Sequence, residues 1–108
     1  ACVIVTADDW TQAIKLLRLM SLEMLELARA GGWEEVTEWE IKRQRLLEEL
    51  FQEAPPAGLA SDLEDAARTA LEHDAELVEL AREERDKLGD YLKSFGQNRR
   101  VRHAYQTF

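Results

Sequence analysis

Side chains equipped for covalent or metal chemistry are scarce in this sequence: one Cys and two His stand among 22 Asp plus Glu and 14 Lys plus Arg. His73 is the one histidine inside a segment of clear helical periodicity. A phosphate-accepting histidine is exposed and followed, one turn on, by a lysine and a glycine that stabilise the phosphoryl group. His73 is followed instead by Asp74, Ala75, Glu76 and Leu77, and two carboxylates would repel that group. A plain surface histidine is the expectation. A di-metal carboxylate centre requires Glu-x-x-His motifs on two helices, and the sequence has none. The plentiful acids, in pairs such as Glu38 with Lys42 and Glu83 with Lys87, read as solvated helix faces. The sequence therefore predicts no catalytic, cofactor-binding or metal-binding residue and no enzyme activity.

Four charged residues need another explanation. Glu40, Arg43, Asp74 and Arg85 fall on helical stripes that are otherwise apolar, where an ion must find a partner or bear its desolvation cost. Antiparallel packing of two helices would let them pair. The expectation is a buried charge network that sets the register of the second and third helices.

Composition narrows the setting for these groups. The 108 residues, 45% hydrophobic and 33% charged, suit a single domain with one core. The lone Cys2 cannot form an internal disulfide, which favours a reducing cytoplasm. A formal charge of -8 repels phosphate backbones, so direct nucleic-acid binding is excluded from the expected functions. The uncharged opening run, Ala1 to Ala7, is too short to span a bilayer and lacks the basic flank of a signal peptide. No membrane insertion and a cytoplasmic location are expected.

Positioning falls to three helical segments behind a short extended lead-in over 1–7, which contains the only β-branched run, Val3 to Thr6. The first helix is expected to open with Asp8 or Asp9 as N-cap and to stop near Ala30, where Gly31 supplies a left-handed residue. Its stripe is Trp10, Ala13, Ile14, Leu17, Met20, Met24, Leu27 and Ala28. Leu19 and Leu22 point elsewhere. The second helix is expected from Trp33 to about Glu53, ahead of Pro55 and Pro56, with Trp33, Val36, Trp39, Leu46, Leu47, Leu50 and Phe51 on its stripe. Ser61 and Glu64 match a capping box for the third helix, whose apolar series from Leu63 to Phe95 runs to Gly96.

Beyond Gly96 the character changes. Residues 97–108 hold three Arg and no acid, and Val101, Ala104, Tyr105 and Phe108 are spaced i, i+3, i+4 and i+7, as on one face of a short helix. A helix of that length is marginal unless docked. The predicted fold is all-α: an antiparallel bundle of three long helices over 8–96, with a short C-terminal helix or tail, 97–108, folding back.

The run LEMLELARAGGWEEVTEWEIKRQRLLEELF, Leu22 to Phe51, resembles the flagellar type III export chaperones of the FliT family. The order of features carries the likeness. A first helix ends in small residues, an aromatic opens the second, and Glu40, Arg43, Leu46 and Leu47 follow. The series from His73 through Arg85 and Leu88, and the ending Arg99, Arg100 and Tyr105, are similar too. The resemblance implies a cytoplasmic chaperone without catalytic activity that binds the C-terminal segment of the filament cap protein FliD, prevents premature assembly and delivers it to the export apparatus. It also implies the export ATPase complex as a further partner, and a last helix that covers a groove between the second and third helices. Trp39, Ile41, Leu46 and Leu80 are the expected groove residues, with Val101, Ala104, Tyr105 and Phe108 as the regulatory tail that occupies it. The alternative is a helical homo-oligomeric interaction module, such as a homodimer, with no chaperone role.

Overall fold

A computed structural model of the chain describes residues 4–106, with side chains through residue 97. Residues 1–3, Thr107 and Phe108 therefore lie outside the described residues, as do the side chains of Val101, Ala104 and Tyr105. The described residues are helical and contain no strand: α1 spans Ala7–Arg29, α2 spans Trp33–Leu50 and α3 spans Ala60–Gln106.

Thr6, rather than Asp8 or Asp9, caps α1. Its hydroxyl accepts the Asp9 amide at 3.1 Å, and the Asp9 carboxylate accepts the Thr6 and Val5 amides at 3.0 and 3.1 Å. Asp9 thus stands at the third helical position of a reciprocal box, where its short arm reaches back to the orphan donors. The Thr6 amide, then the Val5 amide and the Thr6 hydroxyl, hold the Asp9 carboxyl below its ordinary pKa. The lead-in is anchored at Ile4, which is buried in the core. At the other end Gly31 takes φ +82°. The Gly31 amide then donates to the Ala28 carbonyl and the Gly32 amide to the Leu27 carbonyl, a Schellman closure that needs the left-handed residue.

α2 stops at Leu50, three residues short of the expected end, so Phe51 leaves the helix and is 62% exposed rather than part of the stripe. A single 3-10 turn, Ala57–Leu59, leads straight into α3. Ser61 therefore sits inside the helix instead of capping it, and Glu64 bonds Arg68 at 2.9 Å. Among the described residues no break sets off a C-terminal helix: α3 passes through Gly89 and Gly96 to Gln106. A backbone that keeps its i to i−4 bonds tolerates glycine at a cost of about 1 kcal/mol relative to Ala.

The chain divides into two units, Ala1–Val78 and Glu79–Phe108. In the first, Ile4, Trp10, Ala13, Ile14, Leu17, Leu50, Leu63 and Ala66 form the core, with Leu46, Leu47 and Leu59 packed against it. Met20, Met24, Leu25, Ala28, Val36, Ala70 and Leu77 are buried as well. In the second, no described side chain is buried, and Leu88, Leu92 and Phe95 are each 57% exposed.

Candidate functional site

Arg43 is the only charged residue that is buried among the described residues. Its guanidinium donates to the Ser21 hydroxyl of α1 at 3.2 Å, to the Glu40 carboxylate of α2 at 3.0 Å and to the Asp74 carboxylate of α3, whose oxygens lie at 2.8 and 3.1 Å. One cation thereby ties three helices together. Glu40 and Asp74 keep part of their side chains in water, so they neutralise Arg43 without being stripped of solvent themselves. Sequence reasoning misses Ser21. The signal was its spacing, four residues after Leu17 and three before Met24, which puts a small hydroxyl on the core stripe and leaves room for the guanidinium. Arg85 stands outside the network: it is exposed, with Asp86 at 3.6 Å as its neighbour.

A second link joins the far end of α1 to α3. Arg29 bonds Glu76 at 2.6 Å and Glu26 at 3.0 Å, and the Glu76 contact above all raises the Arg29 pKa further from neutrality. These polar links leave the bundle's apolar surface unclaimed.

The expected groove residues do not share one face. Trp39 and Leu46 are both half-buried, and their seven-residue spacing puts them on the same side of α2. The Lys42 ammonium lies 4.8 Å from the Trp39 ring centre, a cation–π contact that shields the ring. Ile41 is two residues on from Trp39, about 200° around the helix, and is exposed. Leu80 is half-buried in the second unit. Of the regulatory tail, Val101, Ala104 and Tyr105 have backbone within α3, and Phe108 is outside the described residues.

An apolar feature that sequence reasoning did not anticipate lies where α2 ends. Phe51, Pro55, Ala60, Leu63, Glu64 and Ala67 wall a hollow of about 360 Å³. It exists because α2 stops early and throws Phe51 outward, while small residues at 60 and 67 keep the facing wall of α3 low. Leu71, one turn beyond Ala67, is 69% exposed. Glu64 on the rim is paired with Arg68. Such a hollow offers apolar contact area and no reactive group. Among the described residues no set of three or more His, Cys, Asp or Glu could hold a metal ion, and no helix is long and apolar enough to cross a membrane.

A family model described as Flagellar protein FliT matches residues 11–107. No curated protein and no solved structure matches the chain.

Proposed function

The chain belongs to the FliT family of flagellar export chaperones, and from that premise we propose that it is a cytoplasmic chaperone for the C-terminal segment of the filament cap protein FliD. It prevents premature assembly of that client and hands it to the export apparatus, where the export ATPase complex is a second partner. The three long helices form an antiparallel bundle. The observation that carries the reading is uncovered apolar surface on a unit whose own core is complete. Phe51 and Leu71 stand open beside the hollow at the end of α2, and an amphipathic client helix docks through anchors of this kind. Trp39 and Leu46, which share one side of α2, extend the client surface beyond it.

Occlusion by Val101, Ala104, Tyr105 and Phe108 belongs to the same proposal. It requires α3 to open at Gly96, because residues 97–106 prolong that helix in the structure.

Calorimetric titration with a peptide spanning the FliD C-terminal segment tests both parts. Phe51→Asp is expected to weaken binding by roughly tenfold or more, the cost of losing an apolar anchor, at unchanged helix content. Deletion of the residues after Phe95 is expected to tighten it, since a tail that competes lowers apparent affinity by the fraction occluded. Unchanged affinity in Phe51→Asp rejects the hollow as the client surface. Unchanged or weaker binding after the deletion rejects occlusion. The rival reading, self-assembly, draws on the exposed stripe of Leu88, Tyr91, Leu92 and Phe95. Sedimentation showing concentration-dependent association without client affinity would favour it.

A further inference from the structure

Some of the chain's 14 cations are already paired. Arg29, Arg43, Arg68 and Arg82 each have a carboxylate oxygen within 3.0 Å. Lys15 and Arg18 do not, although the chain carries 22 acids. Sequence explains part of this. The positions three and four residues either side of Lys15 are Thr11, Gln12, Arg18 and Leu19, and those around Arg18 are Ile14, Lys15, Ser21 and Leu22, so neither cation has an acid at helical contact spacing. Among the described residues no carboxylate from elsewhere in the fold comes within ion-pair distance of either.

The two cations wall one hollow of about 290 Å³ together with Thr11, Ile14, Leu59 and Asp62. Ile14 is buried and Leu59 half-buried, which gives the hollow an apolar floor beneath a cationic rim. The Arg18 guanidinium donates to the Asp62 carbonyl of α3 at 3.3 Å. That single bond orients the fork and leaves its other donors free. Asp62 brings the one acid to the rim, and its carboxylate pairs with neither cation.

We propose that this hollow receives a carboxylate of a partner segment, with a Leu-sized apolar side chain next to it seated on Ile14 and Leu59. Its volume lies at the small end of ligand sites, enough for one side chain and its charge but not for a nucleotide. A chain of net charge -8 also repels multiply charged phosphates more strongly than a single carboxylate. Arginine matches a carboxylate through two parallel hydrogen bonds, and the neighbouring ammonium adds a point charge. The site is separate from the hollow at Phe51. It deepens the chaperone reading, which it uses only to identify the source of the occupant as an export client.

Amide shifts of the full chain report the site directly, with three small probes: N-acetyl-leucyl-leucine with a free carboxylate, its C-terminal amide, and N-acetyl-leucyl-glutamyl-leucine amide. The free acid or the glutamyl probe is expected to shift the Thr11, Lys15 and Leu59 amides saturably at roughly 1–10 mM, as suits a contact of this size. The uncharged amide is expected to leave them in place. Whichever acid binds tighter identifies the carboxylate as a chain terminus or a side chain. The double variant Lys15→Gln, Arg18→Gln is expected to weaken the acid probe by roughly tenfold, the scale of two charge-assisted contacts, with helix content unchanged, and Lys15→Arg is expected to retain it. No saturable shift with either acid, or equal shifts with the uncharged probe, overturns the proposal. If Phe51→Asp abolishes FliD-peptide binding and leaves the acid-probe shifts intact, the two sites are independent and this one stands.

Discussion

Replacing Arg43 separates packing from charge at the centre of the first unit. Removing one member of a buried ion pair usually costs 3–5 kcal/mol because the partner is left charged and dry. Here the partners are wet: Glu40 and Asp74 have side-chain exposures of 52% and 39%, so they rehydrate when the guanidinium goes. Arg43→Ala is therefore expected to destabilise by about 2 kcal/mol, mostly from the void left beside Ser21, whereas Arg43→Met, which refills it, should cost under about 1 kcal/mol. Urea midpoints of the two variants check this, and equal costs would mean that charge outweighs packing. Asp9 supplies a residue-scale pH effect. Its folded pKa is depressed, so its stabilising contribution is fully present above the unfolded value near 3.9 and is lost as pH falls through the lower folded value. Carboxyl-carbon NMR should place the Asp9 midpoint below about 3.9, and Thr6→Ala should raise it by removing the hydroxyl that helps to hold it down.

At the scale of elements, the interiors of the helices were legible and their ends were not. Trp10, Ala13, Ile14, Leu17, Met20, Met24 and Ala28 recur at helical spacing and all are buried, because a 3.6-residue period encodes a face directly. Ends depend on which backbone donors are free. Thr6 was hidden in a β-branched run, and its capping role appears only when Asp9 is seen reaching back to it. Ser61 carried a capping sequence that the preceding 3-10 turn made unnecessary. Gly96 looked like a terminator, yet glycine stops a helix when it adopts a left-handed conformation, and among the described residues Gly31 alone has positive φ. Gly89 and Gly96 have no neighbour within 4 Å of an added Cβ, so nothing steric requires glycine at either position. Gly89→Ala with Gly96→Ala should stabilise α3 by about 1 kcal/mol per site, read as increased helicity and later melting by circular dichroism. If occlusion depends on a break at Gly96, the same double variant should tighten FliD-peptide binding as the deletion after Phe95 does. A more stable helix with unchanged affinity would detach the tail from regulation.

Across the whole molecule, the apolar series of α3 continues well beyond its burial. Leu63, Ala66, Ala70 and Leu77 are core, whereas Val78, Leu88, Leu92 and Phe95 repeat the same spacing at the surface. Periodicity reports which face is apolar and says nothing of whether a partner covers it, which is why the buried length of α3 was not legible in the sequence. Nor was the hollow at Phe51, since it depends on where α2 stops. The same division should appear in the energetics. Helix hydrogen bonds in Ala13 to Ala28 are backed by buried Leu17, Met20, Met24 and Leu25, so their amides should exchange with solvent only through opening of the whole first unit. Amides of residues 82–97 have helical bonds without a buried described side chain, so they should exchange through local fraying, faster by orders of magnitude. Client peptide should raise protection in α3 beyond Val78 if Leu80 and its neighbours take part in docking, and around Phe51 alone if they do not. Uniform protection along α3 in the free protein would show that its far half is already covered in solution. A second copy would then be the natural occupant, and dilution should remove the protection.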